Sequence, residues 1–230
     1  SDCWLGNNTH PHWHDGYVSA SISLKQLGRP PGDAAAAEMI AMADLADQFG
    51  RGELRVTYSQ NIIIPHIPRD QLAAFYDALR TAGLAGAENG LILDMIACPG
   101  LDYCNLANTR SLPLADTLFA RFGSPEMRQD IGAQRLNISG CINACGHHHA
   151  ADMGILGVNK KGTEHFQISL GGRADAAVGR LIGPLIAEDE VPDAIAALIG
   201  IYRENRQAGE SFALSLARLC PHAFKAALNG

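Results

Sequence analysis

Leu136-Asn137-Ile138-Ser139-Gly140-Cys141-Ile142-Asn143-Ala144-Cys145-Gly146 is the stretch on which the reading of this chain turns. Its first three residues predict a short strand that delivers Cys141, and Gly140 and Gly146 bracket a C-x3-C pair. Upstream, Ala97-Cys98-Pro99-Gly100-Leu101-Asp102-Tyr103-Cys104 holds a C-x5-C pair, with 36 residues between Cys104 and Cys141. Thiolates can share one inorganic centre only where the backbone between them turns tightly. Small and turn-forming residues flank both pairs, so the pattern points to a redox centre.

Spacing leaves three readings open. Free cysteines are among the most buried residue types, so all four could be structural thiols. A structural zinc site prefers C-x2-4-C knuckles, and only the second pair fits. A [4Fe–4S] cluster held by Cys98, Cys104, Cys141 and Cys145 takes its ligands from irregularly spaced segments and accommodates these gaps best.

The rest of the composition narrows the class. The 230 residues are 47% apolar and 18% charged, ordinary for a globular protein of one or two domains. A net charge of −6 with scattered basic residues gives no footprint for nucleic acid or an anionic membrane. No apolar run approaches the roughly 20 residues that span a bilayer. Ser1-Asp2-Cys3-Trp4 has neither the charged nor the apolar region of a secretory signal, so a cytoplasmic location is expected. With no initiator Met, the chain is expected to be a fragment.

Residues 1–15 are expected to be a polar leader. Tyr17 to Leu24 alternates as a half-buried strand, and Asp33 is expected to cap an Ala-rich helix running to about Phe49. Leu54-Arg55-Val56-Thr57 and Asn61-Ile62-Ile63-Ile64 read as strands, followed by a helix over about 70–81 closed by Gly83. This β-α-β-β-α order over residues 16–86 predicts a ferredoxin-like half-domain. From residue 87 onward a second α+β domain is expected, with a helix over about 113–121 between the cysteine pairs. Further on, a hairpin turns at Asn159-Lys160-Lys161-Gly162, and a helix covers about 192–205.

Ile138 to Gly146, with Ala97-Cys98 and Cys104 upstream, resembles the cluster signature of the sirohaem-dependent nitrite and sulfite reductases. The segment Arg55-Val56-Thr57-Tyr58-Ser59-Gln60-Asn61 resembles the Arg-x-Thr-x-x-Gln-Asn stretch of that family's half-domain, and Arg206 to Phe212 matches too. The likeness runs from about Gly16 to Phe224. Wording around the cysteines, including His147-His148-His149, is most similar to bacterial assimilatory sulfite reductase haemoprotein subunits.

The resemblance implies several things together. The chain would be the C-terminal half of such an enzyme, with Cys145 bridging a [4Fe–4S] cluster to sirohaem iron and six electrons passing to sulfite. Nitrite reductase is the close alternative, the related monooxygenase of cobalamin synthesis a more distant one, and a zinc-stabilised module the non-enzyme rival. Substrate-clamping Arg and Lys residues would lie in the N-terminal half, so no catalytic residue is assigned here and the chain is expected to be inactive alone. Partners would be that N-terminal half and a ferredoxin or flavoprotein donor.

Arg55, Thr57, Gln60 and Asn61 are candidates for binding the tetrapyrrole's carboxylates, or relics of internal symmetry. Asn143 is a candidate donor to cluster sulfur, or a turn former. His147, His148 and His149 are read as polar residues packed near the cofactors. His10, His12 and His14 are read as part of a solvated tail, with a surface nickel or zinc site the alternative; Lys160 and Lys161 are read as a solvated hairpin tip, with docking of an acidic electron donor the alternative; Cys3 and Cys220 are read as incidental thiols.

Overall fold

The computed structural model describes residues 2–173 and 177–228. The chain divides into two compact units, Ser1–Gly90 and Leu91–Gly230.

The first unit begins with a short helix, α1 (Asp2–Asn8), and a strand, β1 (Thr9–Pro11). The expected leader is therefore folded structure. Trp4 is 1% exposed, with its ring centroid 4.9 Å from Tyr76 and 6.2 Å from Phe75. Asn8 Nδ2 donates to the carbonyls of Ser21 and Gly86 at 3.0 and 2.9 Å. Next come β2 (Tyr17–Ile22), α2 (Ala36–Phe49), β3 (Arg55–Val56), β4 (Ile62–Pro68) and α3 (Leu72–Thr81). That is the β-α-β-β-α order the periodicity predicts for residues 16–86.

The four strands form one antiparallel sheet in the order β1-β2-β4-β3. Val18, Ala20 and Ile22 alternate along β2 and join Met42, Leu45 and Phe49 of α2 and Phe75 and Leu79 of α3 in one core. Phe49 meets Phe75 edge-on at 5.5 Å. Asp33 does not cap α2. Its N-cap is Ala35, whose N–H is satisfied by the Glu38 carboxylate at 2.7 Å, the acidic half of a capping box.

The second unit is built on a mixed five-stranded sheet. Its strands are β5 (Ile96–Ala97), β6 (Leu136–Ser139), β7 (Met153–Lys160), β8 (Thr163–Leu170) and β9 (Arg180–Ile186), in that spatial order. Strands β5, β6 and β7 run parallel, and β8 and β9 complete the sheet antiparallel. All four residues of β6 are buried, as a strand flanked by parallel neighbours requires. The β7–β8 hairpin closes on Lys161 and Gly162, both at positive φ (55° and 87°), with Asn159 Oδ1 accepting the Gly162 N–H at 2.9 Å. Two left-handed residues give the turn whose twist suits a tight hairpin.

Helices α4 (Leu112–Phe122), α5 (Pro125–Ile131), α6 (Val191–Asn205) and α7 (Phe212–Ala226) bring Leu114, Leu118, Ile131, Ile195, Leu198 and Phe212 into the same core as Ile138, Ile155 and Ile168 of the sheet. The Arg206–Phe212 stretch that carries part of the resemblance is the junction between α6 and α7. Arg206 pairs with Asp130 at 2.7 Å, Glu210 with Arg218 at 2.6 Å, and Ser211 caps α7. Among the described residues, no helix is long and apolar enough to cross a membrane.

Candidate cluster site

The parallel pairing of β5 and β6 brings the two cysteine pairs together. Ala97 sits opposite Ile138, so both strands leave the sheet at the same edge, Cys98 directly after β5 and Cys141 two residues beyond β6. The Cys98 N–H continues the ladder to the Ile138 carbonyl at 3.1 Å, and the Gly140 N–H points back to Cys98 Sγ at 3.0 Å. Ser111 Oγ lies 3.5 Å from the same sulfur. The Gly140 N–H thus fixes the position of the Cys98 sulfur at the mouth of the two loops.

Glycine allows this approach. Gly100 adopts φ +59°, and a Cβ there would lie 2.5 Å from the Ser111 nitrogen; a Cβ on Gly140 would lie 3.0 Å from Gly100 Cα and 2.8 Å from the Thr109 carbonyl oxygen. The two loops are laced together by the Asn108 and Thr109 N–H groups on the Gly140 carbonyl, at 2.8 and 3.1 Å. Cys104 is fixed by its N–H to the Gly100 carbonyl at 2.9 Å.

The second pair folds back against the end of β6. Ala144 takes φ +58°, its N–H on the Cys141 carbonyl at 3.1 Å, and the Gly146 N–H donates to Ser139 Oγ at 3.2 Å. Cys141 is buried, Cys98 and Cys104 are half-buried, and Cys145 is exposed. Asn143 is exposed in the same turn. The loops thus adjoin, but among the described residues no three Cys, His, Asp or Glu side chains converge on one metal position.

Two further features bear on what could sit here. Tyr103, Leu106 and Ile142, on the loops that carry the cysteines, are 79%, 74% and 83% exposed, more apolar surface than a solvated loop warrants. His148 is buried, its Nδ1 has no hydrogen-bond partner, and burial, reinforced by His149, pushes its pKa down. Thiol donors, an N–H on sulfur, exposed apolar side chains and an unpartnered ring nitrogen fit a site that receives a large soft group.

The candidate tetrapyrrole residues of the first unit make local contacts. Thr57 lies beyond β3, off the expected strand, and closes the β3–β4 turn: its Oγ1 accepts the Asn61 N–H at 3.0 Å, and Gln60 adopts φ +58°. Asn61 is 1% exposed and its Oδ1 accepts the Leu24 N–H at 3.1 Å. Buried Lys25, which sequence reasoning passed over, donates to the carbonyls of Ser59 and Gln60 at 2.5 and 3.1 Å. Arg55 is exposed and donates to Glu53 at 2.5 Å.

Residues 93–229 match the nitrite and sulphite reductase 4Fe-4S domain, and residues 26–82 match the nitrite/sulfite reductase ferredoxin-like half domain. The chain belongs to the nitrite and sulfite reductase family. Membership implies a [4Fe–4S] cluster and sirohaem as cofactors. A ferredoxin–nitrite reductase of Synechococcus elongatus is 30% identical over 190 residues, 78% of this chain and 36% of that protein. A sulfite reductase (ferredoxin) of Mycolicibacterium paratuberculosis is 28% identical over 218 residues, 89% of this chain and 39% of that one. The chain therefore spans little more than a third of these family members. The solved structure of the Mycobacterium tuberculosis NirA protein shares the fold, with a TM-score of 0.70 at 24% identity over 94% of this chain and 42% of that one.

Proposed function

We propose that this chain is the cluster-bearing, C-terminal half of an assimilatory sulfite reductase haemoprotein, with Cys98, Cys104, Cys141 and Cys145 as the cluster ligands. The observation that carries the reading is the β5–β6 register, which sends both cysteine loops off one sheet edge and packs them glycine against glycine. When bound, the cluster and sirohaem supply one-electron storage and an iron site for a small oxyanion that must take six electrons. The chain's residues prepare for that. The Gly140 N–H and the Ser111 hydroxyl hold the Cys98 sulfur in place. Exposed Cys145 is available as a shared ligand, beside a turn whose Asn143 could donate to sulfur. Arg55 and Gln60 are the candidates for tetrapyrrole carboxylates, whereas Thr57 and Asn61 shape the loop that presents them.

The residues that grip the oxyanion are assigned to a separate N-terminal half, and electrons to a ferredoxin or flavoprotein donor. Nitrite is the second reading for the substrate, favoured by the ferredoxin–nitrite reductase among the relatives. Anaerobic reconstitution with iron and sulfide tests the centre. About four irons and four sulfides per chain are expected, falling sharply with serine at any of the four cysteines. One zinc per chain and no sulfide would overturn it. Sulfite and nitrite turnover by this chain joined to its N-terminal half then separates the two substrates.

A further inference from the structure

Away from the cysteines, the first unit holds a histidine pair that the proposed reductase chemistry does not use. His12, in the turn between β1 and β2, and His66, on β4, face each other with His12 Nε2 2.8 Å from His66 Nδ1. These residues are 54 apart in sequence, and the backbone is bent to make them meet. The β2–β4 register slips between Val18 and Ala20, leaving Pro65 and His66 opposite Ser19 alone, and His66 adopts φ +62° inside a strand. A bulge of this kind re-aims a side chain, and a left-handed non-glycine residue is strained.

The outer nitrogens are equally committed. His66 Nε2 lies 3.3 Å from Glu53 Oε2, and the other oxygen of that carboxylate takes the Arg55 Nε–H. The Arg55 guanidinium, with His66 adding to it, holds Glu53 below its ordinary pKa, so the carboxylate stays charged. In its neutral form His66 carries its proton on Nε2 toward Glu53, and its Nδ1 accepts from His12 Nε2. On the far side, His12 Nδ1 lies 2.9 Å from the His14 N–H and 3.2 Å from the His14 carbonyl oxygen. That nitrogen can accept from one group or donate to the other.

We propose that His12 Nε2 and His66 Nδ1 form a two-imidazole site for a divalent transition metal, independent of the cluster. The ion takes the place of the proton shared between the rings. That proton moves to His12 Nδ1, which gives up the His14 N–H and donates instead to the His14 carbonyl, and His66 keeps its proton on Nε2 toward Glu53. Each ligand then has the outer hydrogen bond, to a carboxylate or a backbone carbonyl, that fixes metal-binding histidines elsewhere. Two nitrogens at zinc distances about a tetrahedral centre are about 3.3 Å apart, so the pair opens by roughly half an ångström. Water completes the coordination, since no third Cys, His, Asp or Glu converges there among the described residues.

The test titrates Zn2+ into the full chain carrying Cys3→Ser and Cys220→Ser, with Cys98, Cys104, Cys141 and Cys145 occupied by a reconstituted cluster, following 15N-labelled imidazole signals. Saturable shifts at His12 Nε2 and His66 Nδ1, with one added zinc per chain, are expected. His12→Ala and His66→Ala should abolish that zinc, and Glu53→Gln should weaken it about 10- to 100-fold while leaving the fold intact. Circular dichroism on each variant separates lost binding from lost structure. Unmoved imidazole signals, or equal zinc binding by wild type and Glu53→Gln, would overturn the proposal.

Discussion

Replacing Gly146 by Ala probes the packing on which the cluster site is built. A Cβ at this position would lie 1.9 Å from the Ile138 carbonyl oxygen and 2.7 Å from its carbon. The obstacle is backbone, so no side chain can swing aside. Reaching even 3.0 Å requires a relative shift of more than an ångström between the end of β6 and the Cys141–Cys145 turn. Whichever moves, the bond from the Cys98 N–H to that carbonyl and the bond from Asn137 Nδ2 to the His147 carbonyl are at risk. Overpacking of this sort costs about 1–3 kcal/mol. One strained hydrogen bond adds about 1 kcal/mol. Gly146→Ala should therefore destabilise the chain by about 2–4 kcal/mol in urea unfolding, and its reconstituted iron content should fall because Cys145 is the adjacent residue. Gly140→Ala meets more distant obstacles, at 2.8–3.0 Å, and should lose less on both counts. A Gly146→Ala protein within about 0.5 kcal/mol of the parent and holding full iron would refute the account of how the second cysteine pair is positioned.

Three further outcomes follow from the same structure. Gly200 lies inside α6, where an added Cβ would meet nothing within 4 Å, so Gly200→Ala should raise stability by about 0.5–1 kcal/mol in the same urea assay. Lys25→Met removes the buried ammonium that holds the Ser59 and Gln60 carbonyls, and thermal unfolding should show a loss of about 1–3 kcal/mol. Arg29, with the Ala35 N–H, holds the Glu38 carboxyl down at about 2, and Arg218, with the Gln207 N–H, does the same for Glu210. Both folded values lie below the unfolded value of 4.5, so their stabilisation is complete above pH 4.5 and is lost as pH falls toward 2. Urea midpoints measured down that range should drop less steeply in Glu38→Gln and Glu210→Gln than in the parent.

Much of the fold was legible because its signals are local. Alternation marked β2, the Asn159–Gly162 turn marked the β7–β8 hairpin, and helical stretches marked α3, α4 and α6. What escaped depends on distant partners. The helix α1 has seven residues, too few to persist alone, and is held by Trp4 packing on Phe75 and Tyr76 some 70 residues later. Its polar sequence therefore read as a leader. The short helix α5 and the strand β9 carry too little periodicity to stand out before the core that covers them is known.

The site divides along the same physical line. Cysteine spacing left three kinds of centre open, because spacing measures chain length and not the gap between loops. The missing quantity was the parallel register of β5 with β6, a pairing across about 40 residues that no local pattern encodes. Surrounding residues narrowed the choice only through resemblance to a family. The histidines show the converse case. His10, His12 and His14 looked alike as alternate residues of a polar stretch, yet each has a different fate. His10 meets Ser21 Oγ at 2.7 Å, His12 meets His66, and the His14 backbone holds the His12 ring. The partner that distinguishes His12 is supplied by a bulge in β4, and a bulge is a property of two paired strands. Residue type nominated the candidates on both counts; only pairing across the sheet brings their partners beside them.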